Sequence, residues 1–242
     1  MATEAKKAPA QSRKENLLIV TIVSVILLAL AITLVIVVAN GRKGNQLEGY
    51  VASETPTNYV RMNISYTDKS GNRRTGDIVI HLRPDMAPAT VQNFQNLVNE
   101  KFYDNVPFHR VVESFMIQGG DPDGDGISSS NETTIPGEFS ANGFTTNGLL
   151  HNRGTISMAR LGNDYDSAST QFFIVTKESA NNHASLDGKY AAFGTVVYGM
   201  ETVDGIAGTS VKYNDYGNEK SVPVSPVTIN FARFVLPETV DR

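Results

Sequence analysis

Phe108-His109-Arg110-Val111-Val112-Glu113-Ser114-Phe115-Met116-Ile117-Gln118-Gly119-Gly120-Asp121 is the stretch around which the rest of the chain can be placed. Two apolar runs, Val106–Val112 and Phe115–Gln118, stand on either side of Glu113-Ser114 and predict strands. Gly119-Gly120-Asp121 then supplies turn residues. Taken one at a time, these residues say little about function. An arginine after an aromatic-histidine pair is usually a solvated charge, and Phe115 and Met116 would usually be core.

Working outward, the texture stays that of a compact β-rich domain. Val60–Tyr66 alternates, Asp68-Lys69-Ser70-Gly71-Asn72 is a turn, and Gly76–Leu82 alternates again, which predicts a hairpin. Pro88 can open a helix over 88–100, because Ala89, Val91, Phe94, Leu97 and Val98 fall on one face. Further strands are expected at Thr155–Ala159, Gln171–Val175, Tyr190–Val197 and Val227–Phe234, with a short helix at Met200–Ile206. Many short strands with two helices predict a mainly β fold, a closed antiparallel barrel capped by two helices.

The opening stretch resembles the F-H-R-x-x-x-x-F-M-x-Q-G-G-D block of cyclophilin-type peptidyl-prolyl isomerases. Gly154-Thr155-Ile156-Ser157-Met158-Ala159, with Ser169-Thr170-Gln171-Phe172-Phe173-Ile174, is similar to the family's S-M-A and S-Q-F-F-I blocks. Leu186-Asp187-Gly188-Lys189-Tyr190-Ala191-Ala192-Phe193-Gly194 resembles its L-D-G-K-x-x-x-F-G, and Ala87-Pro88-Ala89-Thr90-Val91-Gln92-Asn93-Phe94 its first helix. Four blocks in order, over about Val60 to Phe234, are far more specific than any one of them.

The chemistry that such a catalyst needs follows from the amide. Rotation about an X–Pro bond is slow because resonance must be broken, at about 18–20 kcal/mol. No covalent bond to the substrate is made, so no nucleophile is required. The protein must hold the pyrrolidine ring, grip the flanking backbone, and offer a donor that prefers the twisted amide, whose nitrogen regains a lone pair. A guanidinium suits that last task because it stays charged and is planar. The resemblance implies that Arg110 is the donor, with Phe115 and Gln118 beside it in the catalytic group. It implies a ring pocket from Phe115, Met116, Phe173 and Leu186, with Gln118 orienting Arg110 and binding the substrate carbonyl. By the same likeness Ala159 and Arg160 bind peptide backbone, Gln171 lines the rim, His109 packs beside the site, and Tyr190 stands where His is common. Two more residues than usual separate Met158 from Gln171, and Asn is frequent where Arg160 stands. No cofactor is implied. The alternative function is a non-catalytic proline-peptide-binding or chaperone module.

At the other end of the chain, Leu17–Ala39 forms 23 uncharged positions dominated by Leu, Ile, Val and Ala. As a helix it would reach about 35 Å, enough for a hydrocarbon core of about 30 Å. Lys6, Lys7, Arg13 and Lys14 precede it and only Arg42 and Lys43 follow, so the N-terminus is expected in the cytoplasm and the rest outside. A retained anchor fits this length better than a cleaved signal peptide, whose apolar region is usually 7–15 residues. The expected layout is a cytoplasmic tail at 1–16, a transmembrane helix at 17–39, a linker at 40–57 and the isomerase domain at 58–237. That places the chain in the cell membrane as a single-pass protein with an extracytoplasmic domain acting on proline-containing polypeptides. With no Cys, disulfides and thiolate chemistry are excluded. From residue 44 onward 23 Asp and Glu face 15 Lys and Arg, a net charge of −8, which disfavours nucleic acid as a partner.

One other pattern competes for attention. Asp121-Pro122-Asp123-Gly124-Asp125-Gly126-Ile127-Ser128-Ser129-Ser130-Asn131-Glu132 satisfies the acidic spacing of a calcium loop, with Gly at its sixth position. Its flanks are strand-like before and Thr133-Thr134-Ile135-Pro136-Gly137 after, where an EF-hand needs helices, so a solvated turn is the expected reading. His81, His109, His151 and His183 show no metal-ligand spacing. No Gly-x-Ser-x-Gly elbow supports a serine hydrolase.

Overall fold

The computed structural model describes residues 47–127 and 133–238. The tail at 1–16, the apolar run at 17–39, positions 40–46 of the expected linker and 128–132 of the acidic loop lie outside the described residues. Among the described residues, no helix is long and apolar enough to cross a membrane.

The strands are β1 (Tyr50–Ala52), β2 (Tyr59–Thr67), β3 (Arg73–Leu82), β4 (Val106–Pro107), β5 (Arg110–Val112) and β6 (Met116–Gly119). After them come β7 (Thr155–Met158), β8 (Phe172–Val175), β9 (Ala192–Tyr198), β10 (Val211–Tyr213), β11 (Lys220–Pro223) and β12 (Thr228–Pro237). Among the described residues three α-helices are interspersed: α1 (Pro88–Asn99), α2 (Ala180–Leu186) and α3 (Met200–Ala207). The main sheet runs β1-β12-β2-β3-β9-β7-β8-β6-β5, antiparallel throughout, and β4 pairs with β12. Closure follows from that last pairing. The segment from Val106 to Val112 meets β12 with one end (Val106↔Ile229) and β6 with the other (Arg110↔Gln118), which joins β5, one end of the path, to β12, the strand next to its other end.

That segment is a correction to the single strand expected at 106–112. Pro107 lacks the N–H that would continue the ladder, and Phe108 and His109 are outside any strand. The chain therefore turns the barrel corner here while Phe108 plugs the interior, 1% exposed.

The interior is filled by period-two alternation. Val60, Met62 and Ile64 on β2, and Ile78, Ile80 and Leu82 on β3, are all fully buried in the core. On β12 a register shift between Ile229 and Phe231 resets the alternation, so that Ile229, Ala232 and Phe234 all reach the same core. Helix α1 covers the barrel with Val91, Phe94 and Val98. Its first turn has no side-chain cap of its own; the buried Glu138 accepts the N–H groups of Ala89 and Thr90 at 2.9 and 2.8 Å instead. Helix α3 follows Gly199, whose φ of +84° and closeness to the Asp77 carbonyl leave no room for a Cβ.

Three further elements differ from the expectation. Tyr50–Ala52, inside the stretch expected as linker, pairs with Val235–Pro237 of β12, so the strand order begins before position 58. Helix α2 adds a third helix to the two expected; Ser179 caps it by accepting the Asn182 N–H. Finally, β10 and β11 form a separate two-stranded hairpin.

Candidate functional site

The same alternation that fills the barrel also builds a second face. On β5, β6 and β8 the residues Val111, Ile117, Phe172 and Ile174 point into the core. Their neighbours therefore point outward, and Met116, Phe173 and Val175 form a second apolar cluster with Leu186 of α2. Val112, Phe115, Ala159 and Tyr190 pack against it. Here the outer wall of the barrel is roofed by the chain around α2.

A cavity of about 250 Å³ opens between these layers, lined by Arg110, Phe115, Met116, Gln118, Ala159, Arg160, Phe173, Leu186 and Tyr190. Nine of the eleven residues that the sequence singled out thus line one hollow. Its floor is apolar, since Met116, Phe173 and Leu186 are nearly buried. The ring of Phe173 meets that of Tyr190 edge-on at 5.8 Å. Arg160 lies over Tyr190 and Tyr165, at 4.4 and 4.7 Å from the ring centres, and its Nε donates to the Lys189 carbonyl at 3.0 Å. Its side chain is a wall of the hollow.

A second group of polar side chains stands at the edge formed by β5 and β6. Register places Arg110 opposite Gln118 on paired strands, so both side chains share a face. Nη1 of Arg110 donates to Oε1 of Gln118 at 3.2 Å and approaches Sδ of Met116 at 3.8 Å. Nε2 of Gln118 donates to Oε1 of Gln171 at 3.0 Å. The other edge of the guanidinium is occupied too: Nε and Nη2 donate to the two carboxylate oxygens of Glu219, at 2.6 and 2.7 Å. Nothing in the sequence pattern had singled out Glu219, which is 109 positions away on the β10–β11 hairpin.

Two expected residues stand elsewhere. Gln171 is buried behind Gln118 and reaches the hollow through it. His109 lines a neighbouring trough, beyond Arg110, with Gly124–Ile127 and the β10–β11 hairpin. Burial lowers the pKa of His109 below the ordinary imidazole value, which keeps the ring neutral. The N–H of Ala159 donates to the Gln171 carbonyl at 2.9 Å and so is not free for a peptide.

Beneath Phe173, at 5.9 Å and nearly parallel to it, lies the ring of His151. Its Nδ1 meets Oδ1 of Asp187 at 2.8 Å and its Nε2 meets Oγ of Ser157 at 3.0 Å. Burial lowers the pKa of His151, so the Asp187 contact is a neutral N–H donating to a carboxylate rather than an ion pair. The geometry mimics a hydrolytic triad, yet Ser157 and His151 are both 0% exposed. A nucleophile that no substrate can reach is a support for the wall, not a catalyst. In the acidic loop, Asp121 accepts the N–H groups of Asp123 and Gly126, and Asp125 that of Ile127, contacts typical of a turn. A larger hollow of about 600 Å³ lies around Glu113, Arg153, Lys177 and Asp204, and its Arg153–Asp204 pair closes at 2.7 Å.

Comparison with known proteins bears on this arrangement. The sequence model of the family described as cyclophilin type peptidyl-prolyl cis-trans isomerase/CLD matches residues 62–233. A peptidyl-prolyl cis-trans isomerase of Acinetobacter baylyi is 41% identical over 155 residues, 64% of this chain and 78% of that protein. Peptidyl-prolyl cis-trans isomerase B of Escherichia coli is 40% identical over 158 residues, 64% of this chain and 91% of that protein. Among solved structures, a cyclophilin-type isomerase of Cryptosporidium parvum, crystallised in the presence of the dipeptide Ala-Pro, superposes with a TM-score of 0.54 at 24% identity. It covers 71% of this chain and 98% of that one, a likeness of fold.

Proposed function

This chain belongs to the cyclophilin-type peptidyl-prolyl cis-trans isomerases, and from that premise we propose that the hollow beside Arg110 turns X–Pro bonds of exported polypeptides at a membrane surface. The reaction asks for an apolar slot with one fixed donor at its edge. The observation that carries the reading is the placement of Arg110: Nη1 stands beside Gln118 and Met116, both of which line the slot.

With the pyrrolidine ring against Phe115, Met116, Phe173 and Leu186, the ring stays in place while the preceding carbonyl swings. Gln118 holds the guanidinium and offers the substrate carbonyl a partner. As the amide twists, its nitrogen becomes an acceptor, and a charge-assisted bond from Arg110 favours that state by about 1.5–3 kcal/mol. At 1.36 kcal/mol per decade this is about one to two decades in rate, and the remainder comes from positioning. His109 needs no proton-transfer role, consistent with its depressed pKa.

The membrane part of the reading rests on the 23 uncharged positions at Leu17–Ala39 and the basic residues before them. We place residues 1–16 in the cytoplasm, 17–39 across the bilayer, and the isomerase domain outside, where it meets polypeptides leaving the membrane. The test is a protease-coupled assay on a proline tetrapeptide with the full chain in detergent. The cis fraction is expected to convert faster in proportion to added protein. A chain that binds the peptide but leaves the slow phase unchanged would instead be a binding or chaperone module.

A further inference from the structure

The guanidinium of Arg110 is held from two sides, and one of them belongs to no part of the four motif blocks. Glu219 takes the Nε and Nη2 edge in a fork-to-fork pair at 2.6 and 2.7 Å. It does not line the slot; it lines the adjoining trough with Lys212, Asp215 and Tyr216. The carboxylate therefore grips the guanidinium from behind and leaves Nη1, with its Gln118 and Met116 neighbours, on the slot side.

Glu219 is itself fixed. The Asn214 N–H donates to the Glu219 carbonyl at 2.9 Å, and Oδ1 of Asn214 accepts the Asn218 N–H at 3.2 Å. Gly217, at φ +68°, closes the turn between β10 and β11. The Arg110 guanidinium and then the Ser221 hydroxyl hold the Glu219 carboxyl below the usual range, so it is ionised at neutral pH.

We propose that Glu219 is a positioning residue for the isomerase reaction: by occupying the Nε–Nη2 edge it fixes the guanidinium so that Nη1 meets the twisting amide. An arginine has a long, rotamer-rich side chain, and one contact to Gln118 leaves the plane free to swivel about that bond. Two contacts on the opposite edge remove the swivel. The arrangement is not a plug, because a residue competing with substrate would sit inside the hollow. The inference rests on the proposed donor role of Arg110.

The experiment compares the full chain with Glu219→Ala, Glu219→Gln and Arg110→Ala in the proline-peptide assay, measuring kcat and KM separately, with the Nε–H proton resonance of Arg110 followed by NMR. Glu219→Ala is expected to lower kcat about three- to tenfold with little change in KM, as lost positioning should. Glu219→Gln, which keeps one acceptor, should fall between it and the unaltered chain. The Arg110 Nε–H should exchange slowly with water in the unaltered chain and rapidly in Glu219→Ala. If Arg110→Ala is inactive while Glu219→Ala keeps full kcat, or gains activity, the positioning role is overturned and the donor role stands. If Arg110→Ala also keeps full activity, the donor role itself fails.

Discussion

Replacing Arg110 by Ala isolates the charge-assisted bond from everything else that the slot provides. The side chain is 34% exposed, and its partner Glu219 35%, so water can replace the pair at both ends. Exposed pairs of this kind contribute about 0–1 kcal/mol, and in a domain of this size that is a melting shift of a few degrees at most. The apolar floor of Met116, Phe173 and Leu186 is untouched. What disappears is the charged donor proposed to meet the prolyl nitrogen. A bond worth about 1.5–3 kcal/mol corresponds to a fall of about ten- to 150-fold in kcat/KM. The protease-coupled assay reads that fall directly, and circular dichroism with a thermal scan confirms the fold. Arg110→Lys makes a sharper companion, because it keeps the charge but not the planar fork that reaches Glu219 and Gln118 together; it should fall between the two. Activity within threefold of the unaltered chain, with the fold intact, would refute the argument.

Acid should loosen the domain through Asp104, whose carboxyl the Arg233 guanidinium holds below its ordinary value by a fork at 2.6 and 2.7 Å. The folded state then binds fewer protons than the unfolded one, so this contribution is complete above about pH 5 and fades as pH falls through the unfolded value of about 3.9. Thermal midpoints of Asp104→Asn and the unaltered chain should accordingly differ at pH 7, and the gap should narrow as the pH falls below about 3.9 and on through the lower folded value; a gap that stays constant down to the acid limit of folding would argue against the pair. In the membrane, the full chain should resist alkaline carbonate extraction, and the domain should be digested by protease added outside intact cells. Release by carbonate would remove the anchor, and protection in intact cells would reverse the orientation.

Much of the fold was legible because its determinants are local. Alternation at Val60–Tyr66 and Gly76–Leu82, with a Gly-bearing turn between, specifies the β2–β3 hairpin whatever surrounds it. Pro88 and the spacing through Val98 likewise specify α1. The departures are places where tertiary partners decide. Tyr50–Ala52 is a strand only because the end of β12 offers it an edge. Helix α2, only seven residues long, has a recognisable Ser cap but too little periodicity to announce itself.

For the site, composition says that Phe115, Met116 and Phe173 are apolar, but only register says on which side of the barrel they stand. A single-residue slip would have sent Met116 and Phe173 into the interior and Ile117 and Phe172 outward. The glycines after Gln118 help to prevent such a slip, because Gly120, at φ +90°, closes against the Thr170 carbonyl, where a Cβ would collide. The motif therefore includes residues that set backbone register as well as residues that line the hollow. Glu219 is the counter-case. It comes from a hairpin remote in sequence and belongs to no motif, so only folding could reveal its grip on Arg110. The division has a physical cause: alternation and turns specify which face a side chain takes, whereas the direction in which a long charged side chain points depends on partners brought from anywhere in the chain. In an isomerase that makes no bond to its substrate, that direction is most of the chemistry.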